Sequence, residues 1–352
     1  MNAVNQTPII APHAELPDWA QQSVNLANDR LGACVLYASD EFFAPASRLL
    51  NPEPAQFIPN RYDANGKWMD GWESRRKRVA GHDWCLVKLA GKGRVRGFDV
   101  DTSHFIGNYP MTVSIDATLS GSDDVAALQA AYWRQILPVT LLGPNSHHLL
   151  KTLSEFECSH LRVNIHPDGG LARLRVYGDI LPQFEPLPSA PLIDLAALRN
   201  GGRAVAWNDA SFGSAVTNLL LPDRALHMGD GWETRRRREP GNDWCIIQLG
   251  APGSIEKIEV DTAFFKGNYP DRCSIQASFS LDSQALLLSA QSQFWPVLLA
   301  EQPLTMDANH TFSEVISPLG PVTHVRVNIF PDGGLSRLRL WGKLAQPEKK
   351  HD

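Results

Sequence analysis

"RVNIHPDGGLARLRVYG" occupies residues 162–178, and "RVNIFPDGGLSRLRLWG" occupies 326–342. One phrase written twice decides the architecture. The surrounding residues 160–178 and 324–342 match without a gap, with 14 of 19 positions identical. A second pair, "DGWESRRKRVAGHDWC" from residue 70 and "DGWETRRRREPGNDWC" from residue 230, opens a gap-free match of 41 residues with 21 identities. A fainter pair joins "LYASDEFF" near residue 40 to "AWNDASFG" near 209. The repeating unit is about 160 residues long and occurs twice. That is a duplicated domain, not a solenoid of short repeats.

The offset between the copies is 169 at Phe43/Phe212, 160 at Asp70/Asp230 and 164 at His160/His324. The first copy therefore carries nine extra residues just before its DGWE phrase, within "NPEPAQFIPNRYDANGKWM". Its Pro, Asn and Gly content predicts an enlarged loop. "DILPQFEPLPSAPLI", with four prolines from Pro182 to Pro191, predicts a stiff connector. The expected organisation is a tail over 1–15, a first repeat over 16–179, a linker over 180–192, a second repeat over 193–344 and a tail over 345–352.

Inside each copy the signal is β. "DWCLVKLA", "RVRGFDVDT", "TVSIDATL" and "ARLRVYG" are short apolar or alternating runs bounded by Gly, Pro, Asp and Asn. "SDDVAALQAAYWRQ" is the best helical candidate, capped by Ser122 or Asp123. Many short strands and few helices predict an all-β chain of two tandem jelly-roll sandwiches.

Composition narrows the function. Of 352 residues 43% are apolar and 20% charged, as in a soluble globular protein. A net charge of −5 gives no general field toward nucleic acid, and no apolar run reaches membrane-span length. The first twenty residues lack a basic segment followed by an apolar core, so a cytoplasmic chain is expected. The five cysteines have no metal-ligand spacing. Cys85 and Cys245 sit in apolar runs and read as buried free thiols.

Several shared residues read as scaffold. PDGG is a tight turn in which Asp168 and Asp332 bond their own backbone, GNYP is a second turn, and Trp72 and Trp84 are core. Arg173 and Arg175 share one strand face, either solvated or turned to an anion. Glu73 precedes Arg75, Arg76 and Arg78. Either these charges pair within the loop, or Arg75 or Arg78 holds a substrate carboxylate through a bidentate fork.

Three positions separate the copies. His82 is replaced by Asn242, His104 by Phe264 and His166 by Phe330. Histidine moves protons near neutral pH and phenylalanine does not. The first copy is therefore expected to keep polar chemistry that the second has replaced by packing. The three histidines are expected to gather on one rim of the first sandwich, with Glu73, Arg75 and Asp101 beside them. The second copy should show an apolar patch at Phe264 and Phe330, read as a subunit contact.

The paired phrases "DGWESRRKR…GHDWC", "DVDTSHFIGNYP" and "RVNIHPDGGLARLRVYG" resemble the allantoicase family over residues 16 to 344. The resemblance implies two galactose-binding-like jelly rolls, a homo-oligomer, and hydrolysis of allantoate to ureidoglycolate and urea in purine breakdown. The rival reading is a non-catalytic tandem module that binds carbohydrate or another small ligand. Allantoate carries one carboxylate and two ureido arms on one carbon. A site needs a cation for the carboxylate and a group that gives and takes a proton as urea leaves. The candidate catalytic residues are His82, His104, His166, Glu73 and Asp101. The candidate substrate-binding residues are Arg75, Arg78, Asn108, Arg162 and Arg173. A divalent metal such as manganese, held by His104, Glu73 or Asp101, is a further candidate that spacing alone does not select.

Overall fold

The computed structural model describes residues 7–21, 23–182, 192–211, 215–281 and 284–345. They form two compact units, Met1–Leu181 and Pro182–Asp352. Most of the proline-rich connector lies outside the described residues.

The first unit is built from β1 (Cys34–Ala38), β2 (Asp83–Asp101), β3 (Thr112–Thr118), β4 (Arg134–Leu141), β5 (His147–His166) and β6 (Arg173–Ile180), all antiparallel where paired. Strands β2 and β5 have 19 and 20 residues, long enough to serve both layers of a sandwich. The first half of β2 pairs with β1 and with His160–Ile165 of β5. The second half pairs with β6 and with His147–Lys151 of β5. The register breaks between Lys151 and Phe156 and again between Cys158 and His160, where β5 passes from one layer to the other. β3 and β4 extend the first layer. Val87, Phe98, Val100, Val163, Leu174 and Val176 are among the fully buried side chains.

The second unit repeats the plan with β7 (Arg203–Trp207), β8 (Asp243–Asp261), β9 (Arg272–Ser278), β10 (Val297–Pro303), β11 (Asn309–Phe312), β12 (Val322–Phe330) and β13 (Arg337–Leu344). Here β11 and β12 share the work of β5, each pairing with its own half of β8. Both units are jelly-roll sandwiches of an all-β chain.

The helical candidate is α1 (Val125–Ala130). Its cap is Asp124, whose carboxylate accepts from Ala127 N at 2.8 Å, so the sequence reading was off by one or two residues. Asp123 is taken by Lys88 and His160 instead. The second unit has α2 (Ala285–Gln291) at the corresponding place.

The nine extra residues are ordered by local contacts. Gln56–Phe57 pairs with Ile9–Ile10, and Tyr62–Asp63 closes a hairpin on Gly66–Lys67. Trp68 is flanked by the guanidinium groups of Arg48 and Arg61, 5.2 and 4.0 Å from its ring centre. All five cysteines are free, with only Cys34 exposed. Burial pushes the Cys158 thiol up to about 12.

Candidate active site

Three phrases meet because their backbones pair. Trp72–Glu73 forms a two-residue ladder with Gly170–Leu171, so DGWE lies against PDGG. Gly170 N donates to Asn108 O at 2.7 Å, which brings in GNYP. Gly169 makes this approach possible. Its φ is +132°, and a Cβ there would lie 2.7 Å from Pro110 N. Among the described residues Asp168 makes no bond to its own turn. Its carboxylate accepts from Lys77 N at 2.6 Å and ties the basic segment to the same point. The second unit repeats this with Asp332 and Arg237 N.

These contacts hold Glu73 half-buried between two cavities. One, of about 1070 Å³, is lined by Asp40, Glu73, Arg75, Arg76, Lys77, Arg78, Asp83, Asn108 and Asp168 among others. The second, of about 510 Å³, adds Phe57, Lys67, Met69 and His104 to Glu73 and Asn108. Asn108 is more than a turn former, since its Nδ2 donates to Glu73 Oε1 at 2.8 Å. Burial raises the Glu73 carboxyl above its ordinary range, with the Asn108 bond opposing. Among the described residues Glu73 thus makes no ion pair with the arginines after it. Arg75 pairs with Asp40 at 2.6 Å, and Lys77 with Asp83 at 2.6 Å. Arg76 and Arg78 are exposed and make no ion pair among the described residues.

His82 and His166 lie elsewhere, on the outer face of the first layer. Arg162, Asn164 and His166 alternate along β5 with the buried Val163 and Ile165, so all three face away from the core. They line a cavity of about 640 Å³ together with His82, Trp84, Ser114, Asp116, Gln129 and Trp133. The two imidazoles touch, with ring centres 4.4 Å apart. Trp84 is a wall of this cavity rather than core. His104 belongs to the Glu73 side, where its Nε2 lies 3.2 Å from Ala55 O and its ring stacks on Phe57. The structure therefore joins two of the three histidines and gives the third to a different cavity.

Two candidates are scaffold. Arg173 is only 2% exposed. Its five N–H donors go to the carbonyls of Glu53, Pro54, Asp70 and Ala172 and to the Asp70 carboxylate, leaving none for a substrate. Arg175 holds the carbonyls of Asn51, Pro52 and Glu53. The two-arginine face is thus turned to the enlarged loop and, through Arg173, to the Asp70 carboxylate, not to solvent or a bound anion. Arg337 repeats the clamp in the second unit. Asp101 is buried and accepts from Ser103 N at 2.7 Å, as Asp261 does from Ala263 N. Among the described residues no three His, Cys, Asp or Glu side chains converge to hold a metal, so His104, Glu73 and Asp101 are not a ligand set.

Beside Asp101, His147 Nδ1 bonds Asp99 Oδ2 at 2.8 Å, which raises its pKa to about 9. A raised folded-state value stabilises below the unfolded value of about 6.5 and is lost as pH rises through 9. Stability against urea is expected to fall between those limits. His147→Asn should flatten that slope, since Asn309 holds the matching place opposite Asp261 in the second unit.

The second unit keeps Glu233 bonded to Asn268, in a cleft of about 590 Å³ with Arg236 and Asp332. This polar rim is kept, so the replacement of polar chemistry by packing expected from the sequence does not extend to it. Nor are Phe264 and Phe330 an open apolar patch. Each is half-buried under an arginine, Arg224 at 5.7 Å and Arg272 at 4.9 Å.

The family model "Allantoicase repeat" matches residues 24–181 and 193–345. The chain belongs to the allantoicase family. It is 56% identical over 337 residues to "Probable allantoicase 1" of Burkholderia mallei, covering 96% of this chain and 98% of that protein. It is 55% identical over 337 residues to "Probable allantoicase" of Ralstonia nicotianae, covering 96% and 99%. The crystal structure of allantoicase from Saccharomyces cerevisiae is similar, with a TM-score of 0.75 and 34% identity over 91% of this chain and 93% of that one. As an allantoicase-family member the chain is a hydrolase of non-peptide C–N bonds. Among the described residues no helix is long and apolar enough to cross a membrane.

The sequence reading missed Asp116, Arg76, Phe57 and Lys67. Asp116 was within reach, because the offset of 160 carries through "TVSIDATL" and "RCSIQASF" and sets Asp116 against Gln276. Phe57 and Lys67 were not, since they lie in the loop that has no counterpart.

Proposed function

We propose that this chain hydrolyses allantoate to ureidoglycolate and urea, and that Glu73 carries the proton transfers. The observation that supports this is a half-buried carboxyl of raised pKa, oriented by Asn108, beside the exposed Arg76 and Arg78. The arginines receive the substrate carboxylate. The C–N bond to one ureido arm breaks and its electron pair leaves with nitrogen, while the other arm's nitrogen lone pair steadies the central carbon. The Glu73 carboxyl gives its proton to the departing nitrogen, completing urea. Water then adds to the central carbon, and Glu73 takes the proton that water loses. The balance is one water consumed and one C–N bond exchanged for C–O. His104 and Asn108 border the arm that stays.

Purified protein is expected to release urea from allantoate and not from arginine or allantoin. No urea above the uncatalysed rate would reject the reading. Arg78→Met should raise KM roughly ten- to hundredfold with kcat little changed, because a charge-assisted bond is worth about 1.5–3 kcal/mol. The same reading places the protein in the cytoplasm as a homo-oligomer, supported by family resemblance and by four buried free thiols. Sedimentation would test the assembly.

A further inference from the structure

The His82–His166 cavity lies outside the proposed chemistry, and the duplication supplies its control. Ser114, Arg162, Asn164 and Trp84 recur as Ser274, Arg326, Asn328 and Trp244. Three other lining residues, two histidines and an aspartate, do not. His82, Asp116 and His166 are replaced by Asn242, Gln276 and Phe330. In the second unit the corresponding residues pack on one another. Arg326 is buried against Trp244 at 4.4 Å and donates to Ser292 Oγ at 2.8 Å, while Trp295 is buried beside them. In the first unit Asp116 draws Arg162 aside through Oδ2 at 2.9 Å and so keeps the cavity open.

Hydrogen bonding limits what the cavity displays. Asn164 Nδ2 donates to Asp116 Oδ2 at 3.0 Å, so Asn164 Oδ1 is the atom 3.2 Å from His82 Nε2. His82 therefore donates from Nε2, and in the neutral ring its Nδ1 is an acceptor. Asn164 Nδ2 lies 3.3 Å from both Ser114 O and Ser114 Oγ, and Ser114 Oγ lies 3.1 Å from His166 Nε2; we assign the Ser114 proton to that contact as part of the proposal below. His166 therefore carries its proton on Nδ1. Its burial, before any other cause, holds its pKa below the ordinary value, which favours the neutral ring. Touching rings of opposite tautomer offer one acceptor and one donor. Trp84 and Trp133 add apolar walls on which a flat molecule can stack.

We infer that this cavity is a second ligand site, for a small planar ring that presents an amide edge, an N–H beside a C=O. An amide edge answers the acceptor and donor of the histidine pair, and the ring answers the tryptophans. The volume of about 640 Å³ is that of an ordinary small-molecule site.

Hydantoin is a suitable probe, read by isothermal titration calorimetry on the full chain. One site per chain is expected. Urea, which has the edge without the ring, should bind at least about tenfold more weakly, and 1,3-dimethylhydantoin, which has the ring without N–H, should not bind. The double variant His82→Asn/His166→Phe takes the second unit's residues and should weaken hydantoin at least about tenfold. Asp116→Gln, which frees Asn164 to turn, should do the same and serves if the double variant does not fold. Binding should persist in Glu73→Gln, which separates this site from the proposed catalytic cleft. No heat with the native chain, undiminished binding in both cavity variants, equal binding of urea or of the dimethyl compound, or loss in Glu73→Gln would each overturn the inference.

Discussion

Glu73→Gln releases urea from allantoate at least about a hundredfold more slowly than the native chain, the lower end of what a positioned acid–base group contributes. The substitution keeps shape and hydrogen bonding. A glutamine oxygen still accepts from Asn108 Nδ2, and the ladder to Gly170 is backbone. The melting temperature should therefore stay within a few degrees, and KM should change little because Arg76 and Arg78 remain. The pH profile carries the sharper signature. Burial raises the Glu73 pKa, and the first step needs the protonated form, so native kcat falls as pH rises through that value. In the glutamine variant this limb disappears. Glu233→Gln measures the second cleft. Its cavity of about 590 Å³ is close to half of the first at about 1070 Å³ and has no enlarged loop beside it. A loss within about fivefold is expected there. Equal losses from both variants would assign the chemistry to both repeats.

What the sequence disclosed and what it hid divide along physical lines. The duplication, the sandwich and the strand runs were legible because they rest on local patterns: identity at fixed offset, alternation, and turn residues at run ends. Glu73, Arg78 and Asn108 were legible as polar residues in phrases kept twice. That Glu73 turns to Asn108 was not, because 35 residues separate them and only the PDGG ladder brings their loops together. The histidines were grouped too readily. Strand parity places His166 with Arg162 and Asn164 on the outer face of β5, and that pattern was open to reading. His104 depends on Ala55 and Phe57, which belong to the loop without a counterpart. Arg173 was misread for a different reason. Alternation says that Arg173 and Arg175 share a face, but not that a loop from 120 residues earlier covers that face.

Arg173→Met is expected to destabilise the first unit by about 3–5 kcal/mol, the cost of breaking a buried ion pair by removing one partner. Arg173 and Asp70 are both buried, with Nη2 and Oδ2 2.7 Å apart. Methionine fills most of the volume but leaves the Asp70 carboxylate, among the described residues, with Gln56 N at 2.9 Å as its remaining hydrogen bond, and strips the carbonyls of Glu53, Pro54 and Ala172 of this donor. For a unit of this size the midpoint of thermal unfolding should drop by on the order of 10 °C. Lysine should not rescue, because three donors on a flexible stem cannot replace a five-donor planar fork. The two readings of Arg173 part here. A substrate-binding arginine would raise KM and leave stability alone. A clamp lowers stability first, and affects turnover only by loosening residues 53–57, from which Ala55 and Phe57 reach His104. Arg337→Met repeats the test where no enlarged loop exists. Its guanidinium holds Asp230 and Asp223 in the same manner, so a loss of similar size should appear in the unfolding of the second unit. Matching losses would show that the duplicated Arg–Asp clamp is part of the fold that both repeats share. A stable Arg173→Met chain with weakened substrate binding would return Arg173 to the active site.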